Sequence, residues 1–358
     1  MADWTKSMQQ TFEFYEVDPI TWKDVRQLTN VTACTINRDS EVETLGSATF
    51  DITESVGECY IRVYLITNQN GIKEKHPLGT YLVQTPSSKF DGKIRSVSMD
   101  AYTPLLELKE KQPPIGFYVP ATSNVMSEVC LQTSKQTRAP IVKTTHSKLL
   151  FNDFVADTED TWLSFLSDLM SNAKHKFDLD EMGRVLFAPI QDTESLQPVW
   201  TYDDGNSSIL YPELIMNHDL YGIPNVIEVI YTNADLRAMS SEDYYVKVVN
   251  DDPNSPTSII NRGREITKRI TDPAFTGIPS KVEIEEYAKQ LLKEASAIEY
   301  TITYTHGYCP ARVGDCVRLN YNRAGLKNIK AKIISQSIKC EPGCPVTEKA
   351  VFTTNLWG

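Results

Sequence analysis

The same ordered set of β-hairpin signals occurs twice in this sequence, once near each end, and no other feature narrows the possible folds as much. In the first copy, Glu58–Thr67 alternates and then runs apolar before reaching Asn70-Gly71. Asn-Gly marks a tight hairpin, because both central residues of that turn take positive φ. A return strand follows at Leu78–Thr85. A second turn, Phe90-Asp91-Gly92-Lys93, then feeds Lys93–Ala101, with Ile94, Val97 and Met99 on one face. One slip in that alternation predicts a bulge. The segment reads as an antiparallel meander.

In the second copy, Glu299–Thr305, Val313–Tyr321, Lys330–Ile338 and Ala350–Thr354 read as strands. Gly314-Asp315-Cys316 answers Gly57-Glu58-Cys59, and Gly325-Leu326-Lys327 answers Gly71-Ile72-Lys73. Ile333–Ser337 answers Tyr81–Thr85, and a turn at Gly343 answers the turn at Gly92. Any two meanders share hairpin glycines, and the intervals differ by a few residues. The order of four matches nevertheless favours a duplicated β-unit.

Between the copies lie a few well-signed helices. Trp162, Phe165, Leu166, Leu169, Met170 and Ala173 form a helical apolar stripe. Asp157, Glu159 and Asp160 precede it and Lys174, His175 and Lys176 follow, as a helix dipole favours. A second helix opens at Pro279-Ser280 with a capping box, Ser280 to Glu283, and buries Ile284, Tyr287, Ala288, Leu291, Leu292 and Ala295. A short helix at Pro104–Lys111 precedes the turn-rich linker 112–116. The fold class is therefore α+β, mainly β. With 358 residues, two or three compact units are expected.

Chemistry is hard to find in the motifs. There is no Gly-x-Ser-x-Gly elbow, no phosphate-cradling glycine loop and no His-Glu-x-x-His. The five histidines, His76, His146, His175, His218 and His306, are scattered and read as surface or helix-end residues. Asp203-Asp204-Gly205-Asn206 and Asn250-Asp251-Asp252-Pro253-Asn254 are oxygen-rich, but neither has the spacing of an EF-hand loop. Exposed turns use the same residues for their own hydrogen bonds. No catalytic residue, cofactor site or metal site is assigned.

Seven cysteines are present: Cys34, Cys59, Cys130, Cys309, Cys316, Cys340 and Cys344. The last four crowd the C-terminal region without the two-residue knuckle of structural zinc sites. Cys340 and Cys344 flank Pro342-Gly343 and can face each other across a turn. Buried, reduced thiols in strands are the plainer reading, and metal binding by the four stays open. The net charge of −11 disfavours non-specific binding to a nucleic acid backbone. No run reaches the ~18–20 apolar residues of a membrane helix, and residues 1–18 lack a secretory pattern.

The order of motifs resembles a known family. Leu78-Gly79-Thr80-Tyr81-Leu82-Val83 leads to Asp100-Ala101-Tyr102 and to Leu105-Leu106-Glu107-Leu108. After the amphipathic helix come Phe177–Leu186, Ile223–Val229 and Ile260–Arg264. The helix at Val282–Ala297 then leads to Pro310-Ala311-Arg312-Val313-Gly314-Asp315-Cys316-Val317. This order resembles the tail hub proteins of tailed bacteriophages: the baseplate hub of contractile phages and the N-terminal domain of siphophage tail-associated lysins. The resemblance covers the whole chain, and its most telling element is the Gly-Asp-x-Val strand opening.

The resemblance implies two similar β-barrel domains alternating with two smaller α/β domains. It places a first barrel at 1–103, completed by a strand near 223–235, and an α/β domain at 104–198. A connecting and second α/β region follows at 199–298, and a second barrel at 299–358. It further implies a homotrimeric ring at the distal end of a phage tail, in the virion. That ring adapts a six-fold tail tube to a three-fold tip and forms or closes the DNA channel. The implied partners are tail tube and distal tail proteins, the tape measure protein, and a tail fibre or spike chain. Specific nucleic-acid binding and membrane insertion by this chain are not implied. The long enzymatic extension carried by some members has no counterpart before Trp357-Gly358, so the expected role is structural. Two rival readings are a cell-wall hydrolase using mid-chain carboxylates and a receptor-binding tip using Tyr202, Tyr211 and Tyr221.

Overall fold

A computed structural model describes residues 2–354 apart from 55, 91–94, 192, 219–220, 232–244, 272, 274–278 and 296–297. The chain divides into two compact units, 1–214 with 303–350 and 215–302 with 351–358.

The larger unit opens with β1 (Gln9–Val17), β2 (Asp24–Leu28), β3 (Val31–Asp39) and β4 (Gly46–Ile52). Next come the strands of the first meander, β5 (Tyr60–Gln69), β6 (Ile72–Phe90) and β7 (Arg95–Tyr102). All neighbours are antiparallel, with Gln69 paired to Ile72 across the expected turn. Asn70 has φ 54° and Gly71 φ 83°, the two positive values that an Asn-Gly hairpin requires. The bulge lies at Val83/Thr85 of β6, opposite β7 rather than within it. The 90–93 turn falls largely outside the described residues.

The strand β6 is longer than its apolar run, because it continues through Pro86. There its register is with β7, that with β5 having ended at Leu82.

Helices then cover part of the sheet: α1 (Leu106–Lys109), α2 (Val125–Gln136) and α3 (Trp162–Ser171), with the short ribbon β8 (Tyr118–Val119) and β9 (Phe154–Val155). Thr161 and Ser164 form a reciprocal capping box at the start of α3. The apolar stripe is buried as its spacing predicts, through Trp162, Phe165, Leu166, Leu169 and Met170. His175 and Lys176 do not cap this helix, however. They begin β10 (His175–Leu179), which turns back into β11 (Val185–Pro189). The helix stops at Ser171, and Lys174 takes positive φ to make the reversal.

The chain continues through β12 (Pro198–Asp203), β13 (Leu210–His218), β14 (Val226–Ile230) and β15 (Tyr245–Val249), then α4 (Ile259–Arg262), β16 (Thr267–Thr271) and α5 (Lys281–Ala295). The closing strands are β17 (Ile298–Gly307), β18 (Cys316–Asn320), β19 (Ile329–Lys339) and β20 (Pro345–Thr354). Both meanders belong to one sheet of the order β13-β17-β20-β19-β3-β4-β7-β6-β5-β1-β2, with β18 also on β19 and β12 parallel to β18. The link between them is the antiparallel ladder of β3 and β19. One apolar core accordingly joins Ile36, Phe50, Ile61, Val63 and Met99 to Tyr308, Ile338 and Val346.

In the smaller unit, β14 pairs with β15 and β16, and Ile227, Val229, Val246 and Val248 pack on Ile284, Ala288 and Leu292 of α5. The strand expected near 223–235 to complete the first barrel is therefore the middle strand of this sheet. Its apolar alternation is satisfied by α5 instead. The capping box of α5 is present: Ser280 N–H donates to Glu283 Oε2 at 2.6 Å, and Glu283 N–H to Ser280 Oγ at 3.3 Å.

Candidate functional site

Two polar constructions stand out in the larger unit, and both are built where elements far apart in sequence meet. The first is the seat of the β10–β11 turn, residues 180–184, on the large sheet. Gly183 approaches so closely that an added Cβ would lie 2.7 Å from Thr80 Cβ, and its φ of 75° also disfavours a side chain. Trp22 Nε1 donates to Met182 O at 2.7 Å. The buried Arg62 guanidinium donates to Met182 O at 3.1 Å, to Thr80 Oγ1 at 2.9 Å and to Asp24 Oδ1 at 2.6 Å. Glu181 takes Arg312 at 2.8 Å and faces Arg38 at 3.9 Å.

Beside this seat is a cavity of about 260 Å³, lined in part by Arg38, Leu78, Tyr81, Phe177, Asp315 and Lys332. Arg38 donates to Leu78 O at 2.6 Å and to Gln336 Oε1 at 3.2 Å. Asp315 belongs to the Gly-Asp-x-Val opening. Its Oδ2 accepts from Arg312 N–H at 2.9 Å, and burial raises its carboxyl above the ordinary aspartate value. Gly314, with φ 94°, donates its N–H to Ile333 O at 2.8 Å. The motif thus starts β18 by locking a turn onto β19.

The second construction is a closed polar network around Glu348, fully buried on β20. Its carboxylate accepts from Gln336 at 2.6 Å, Tyr304 at 2.7 Å and Tyr202 at 3.2 Å, and lies 3.2 Å from His306 Nε2. Burial alone pushes the Glu348 carboxyl up, but His306, Gln336 and Tyr304 bring it below the ordinary glutamate value. Burial pushes the Tyr202 and Tyr304 hydroxyls well above the ordinary tyrosine value and the Cys309 thiol up to about 12. His306 Nδ1 lies 2.7 Å from Gly307 O, so that nitrogen carries a proton. His306 is therefore a buried network member and not the surface residue its isolation in sequence suggested. A sequence scan has no access to a partner brought in by a neighbouring strand.

The remaining residues singled out by type are placed plainly. Asp203 accepts from Gly205 N–H at 3.0 Å, Asp252 N–H donates to Asn250 at 3.3 Å, and Asp252 accepts from Asn254 N–H at 2.8 Å, as turns do. Tyr202 is buried, whereas Tyr211 and Tyr221 are exposed, so the three do not line a common groove. All seven cysteines are free thiols, but only Cys34 and Cys316 lie in strands: Cys130 is in α2, and Cys59, Cys309, Cys340 and Cys344 lie just outside strand ends, with Cys59 and Cys340 only partly buried. Among the described residues, no group of three or more His, Cys, Asp or Glu side chains is placed to hold a metal ion. No helix among them is long and apolar enough to cross a membrane.

No family model matches the chain, and no curated protein sequence matches it. Solved structures do. A tail protein from Neisseria meningitidis MC58 aligns with a TM-score of 0.61 at 12% identity, over 97% of this chain and 98% of that one. The 43 kDa tail protein of prophage MuSo2 from Shewanella oneidensis aligns with a TM-score of 0.60 at 11% identity, over 95% and 98%. The chain has the phage tail-protein fold. The likeness runs from end to end in both directions, as the motif order implied. A chain of the Francisella PdpA-VgrG complex shares the tail-protein fold at a TM-score of 0.56 and 10% identity, over 97% of this chain and 58% of that one.

Proposed function

We propose that this chain is a structural hub protein of a phage tail, without catalytic residues or a cofactor. Three copies form a ring at the distal end of the tail tube, in the virion. The observation that carries the reading is the end-to-end match to two tail proteins. The two meanders in one sheet support it further. Three copies of two like β-units present six similar faces to a six-fold tube while keeping three-fold symmetry toward a fibre or spike chain. Distal tail proteins and the tape measure protein complete the expected neighbours. An acidic chain of net charge −11 suits a channel that DNA passes without adhering. The domain plan of two barrels alternating with two α/β regions belongs to this same reading.

The test is native mass measurement of the purified chain, alone and with a tail tube protein of the same phage. A trimer, or a trimer formed on adding the tube protein, is expected. A monomer under both conditions overturns the proposal. Incubation with peptidoglycan is expected to release no fragments, and released muropeptides overturn the structural reading in favour of a hydrolase.

A further inference from the structure

The ladder joining the two meanders ends on a pair of cysteines. Ile36 opposes Ile338 and Thr35 opposes Lys339, so the next step sets Cys34 opposite Cys340. Cys340 N–H donates to Cys34 O at 2.9 Å, which continues that register. Directly opposed residues on antiparallel strands put their side chains on one face with Cα atoms about 4.5–5.5 Å apart. A disulfide spans Cα separations of about 4.4–6.8 Å. Cys34 is buried, while Cys340 is partly buried at the edge of the same core. Cys344 lies in the same core, beyond a turn closed by its N–H on Glu341 O at 2.8 Å.

We propose that Cys34 and Cys340 form a disulfide when the protein meets a small-molecule disulfide outside a reducing compartment, tying β3 to β19. The more accessible Cys340, as thiolate, attacks one sulfur of the reagent; the reagent's S–S bond breaks and one thiolate leaves. Cys34, deprotonated in turn, attacks the Cys340 sulfur of the mixed disulfide and expels the second thiolate. The two protein thiols give up two electrons and two protons, and the reagent becomes two thiols. The Cys34 thiol and burial raise the Cys340 thiol well above its ordinary range. Thiolate is therefore scarce at neutral pH, and the bond closes slowly, as a lock and not as a rapid switch. The geometry stands apart from the proposed role; only the occasion for oxidation, in a virion outside the cell, rests on it.

The test uses the full purified chain held with oxidised glutathione, unfolded, alkylated and digested with trypsin without reductant. A linked pair of peptides Gln27–Arg38 and Cys340–Lys349 is expected, abolished by reductant and formed about tenfold faster at pH 8 than at pH 7. Because Cys344 shares the second peptide, the C344S variant assigns the bond, and the link is expected to persist in it. Alkylation of both Cys34 and Cys340 throughout, a Cys340–Cys344 link, or loss of the link in C344S overturns the proposal.

Discussion

Arg62 in the first meander and Glu348 in the second are both sealed inside the larger unit, yet they are held in different ways. Arg62 spans from strand β5 to a separate layer, and its carboxylate partner Asp24 keeps a quarter of its side chain in water. Glu348 never leaves the sheet: its partners lie on β12, β17 and β19, and His306 beside it is equally buried. A charge that joins two layers can share its partner with solvent. A charge set within one layer must be met completely by its neighbours. The two regions touch through Arg38, which reaches Gln336 of the Glu348 network and faces Glu181 of the turn that Arg62 holds.

The strongest way to break this contrast is to remove each charge. E348A leaves several buried donors without an acceptor and is expected to cost about 3–5 kcal/mol. R62M leaves Asp24 able to rehydrate and is expected to cost only about 1–3 kcal/mol. Urea unfolding of both variants decides the point; equal losses, or a larger loss for R62M, would end the distinction. G183A sharpens it from the side of the turn. A methyl group forced against Thr80 from a left-handed backbone should cost about 1–3 kcal/mol and free the turn before the sheet, visible as faster amide exchange in 180–184.

Acid should separate the regions next. A carboxyl held below its unfolded value contributes stability that is full above that value, 4.5 for glutamate, and is lost as pH falls through the folded one. Thermal unfolding of the wild type should therefore weaken below about pH 4.5 more steeply than that of E348Q, and parallel curves would show that Glu348 takes no part. The smallest effect is outside both regions. S280A should cost about 1 kcal/mol through the first turn of α5, read as exchange of its leading amides with the β14–β16 sheet unchanged.

Local chemistry made part of this architecture readable. Asn70-Gly71 specified its turn through two positive φ values, and the cap at Ser280 specified where α5 begins, whereas the Thr161 cap that starts α3 went unread behind the acidic residues before it. The helix α2 escaped, since its buried side includes Gln132 and Thr133 and its apolar stripe is weak; Asn124, accepting from Ser127 N–H, was the available sign. The Glu348 network could not be read at all, because Tyr202 and Glu348 lie 146 positions apart and only strand order unites them. The same holds for Arg38 and Gln336, and for the two cysteines at the end of the β3–β19 ladder. The strands of the two meanders were legible in their order but not in detail. The first turns through two residues, whereas the second crosses residues 321–328 by way of a short 3-10 turn ending at Gly325.

The ladder between β3 and β19 also sets a timetable. A strand finished within the first forty residues must await a neighbour made some three hundred residues later. On the ribosome, where chains grow at roughly 5–20 residues per second, that edge stands open for about fifteen seconds to a minute. During that interval the nascent chain offers bare amide and carbonyl groups to every other copy being synthesised nearby. A producing cell filling with newly made chains therefore faces its greatest risk of clumping before any one of them is complete, and a chaperone that shields β3 should raise the yield of correctly finished protein.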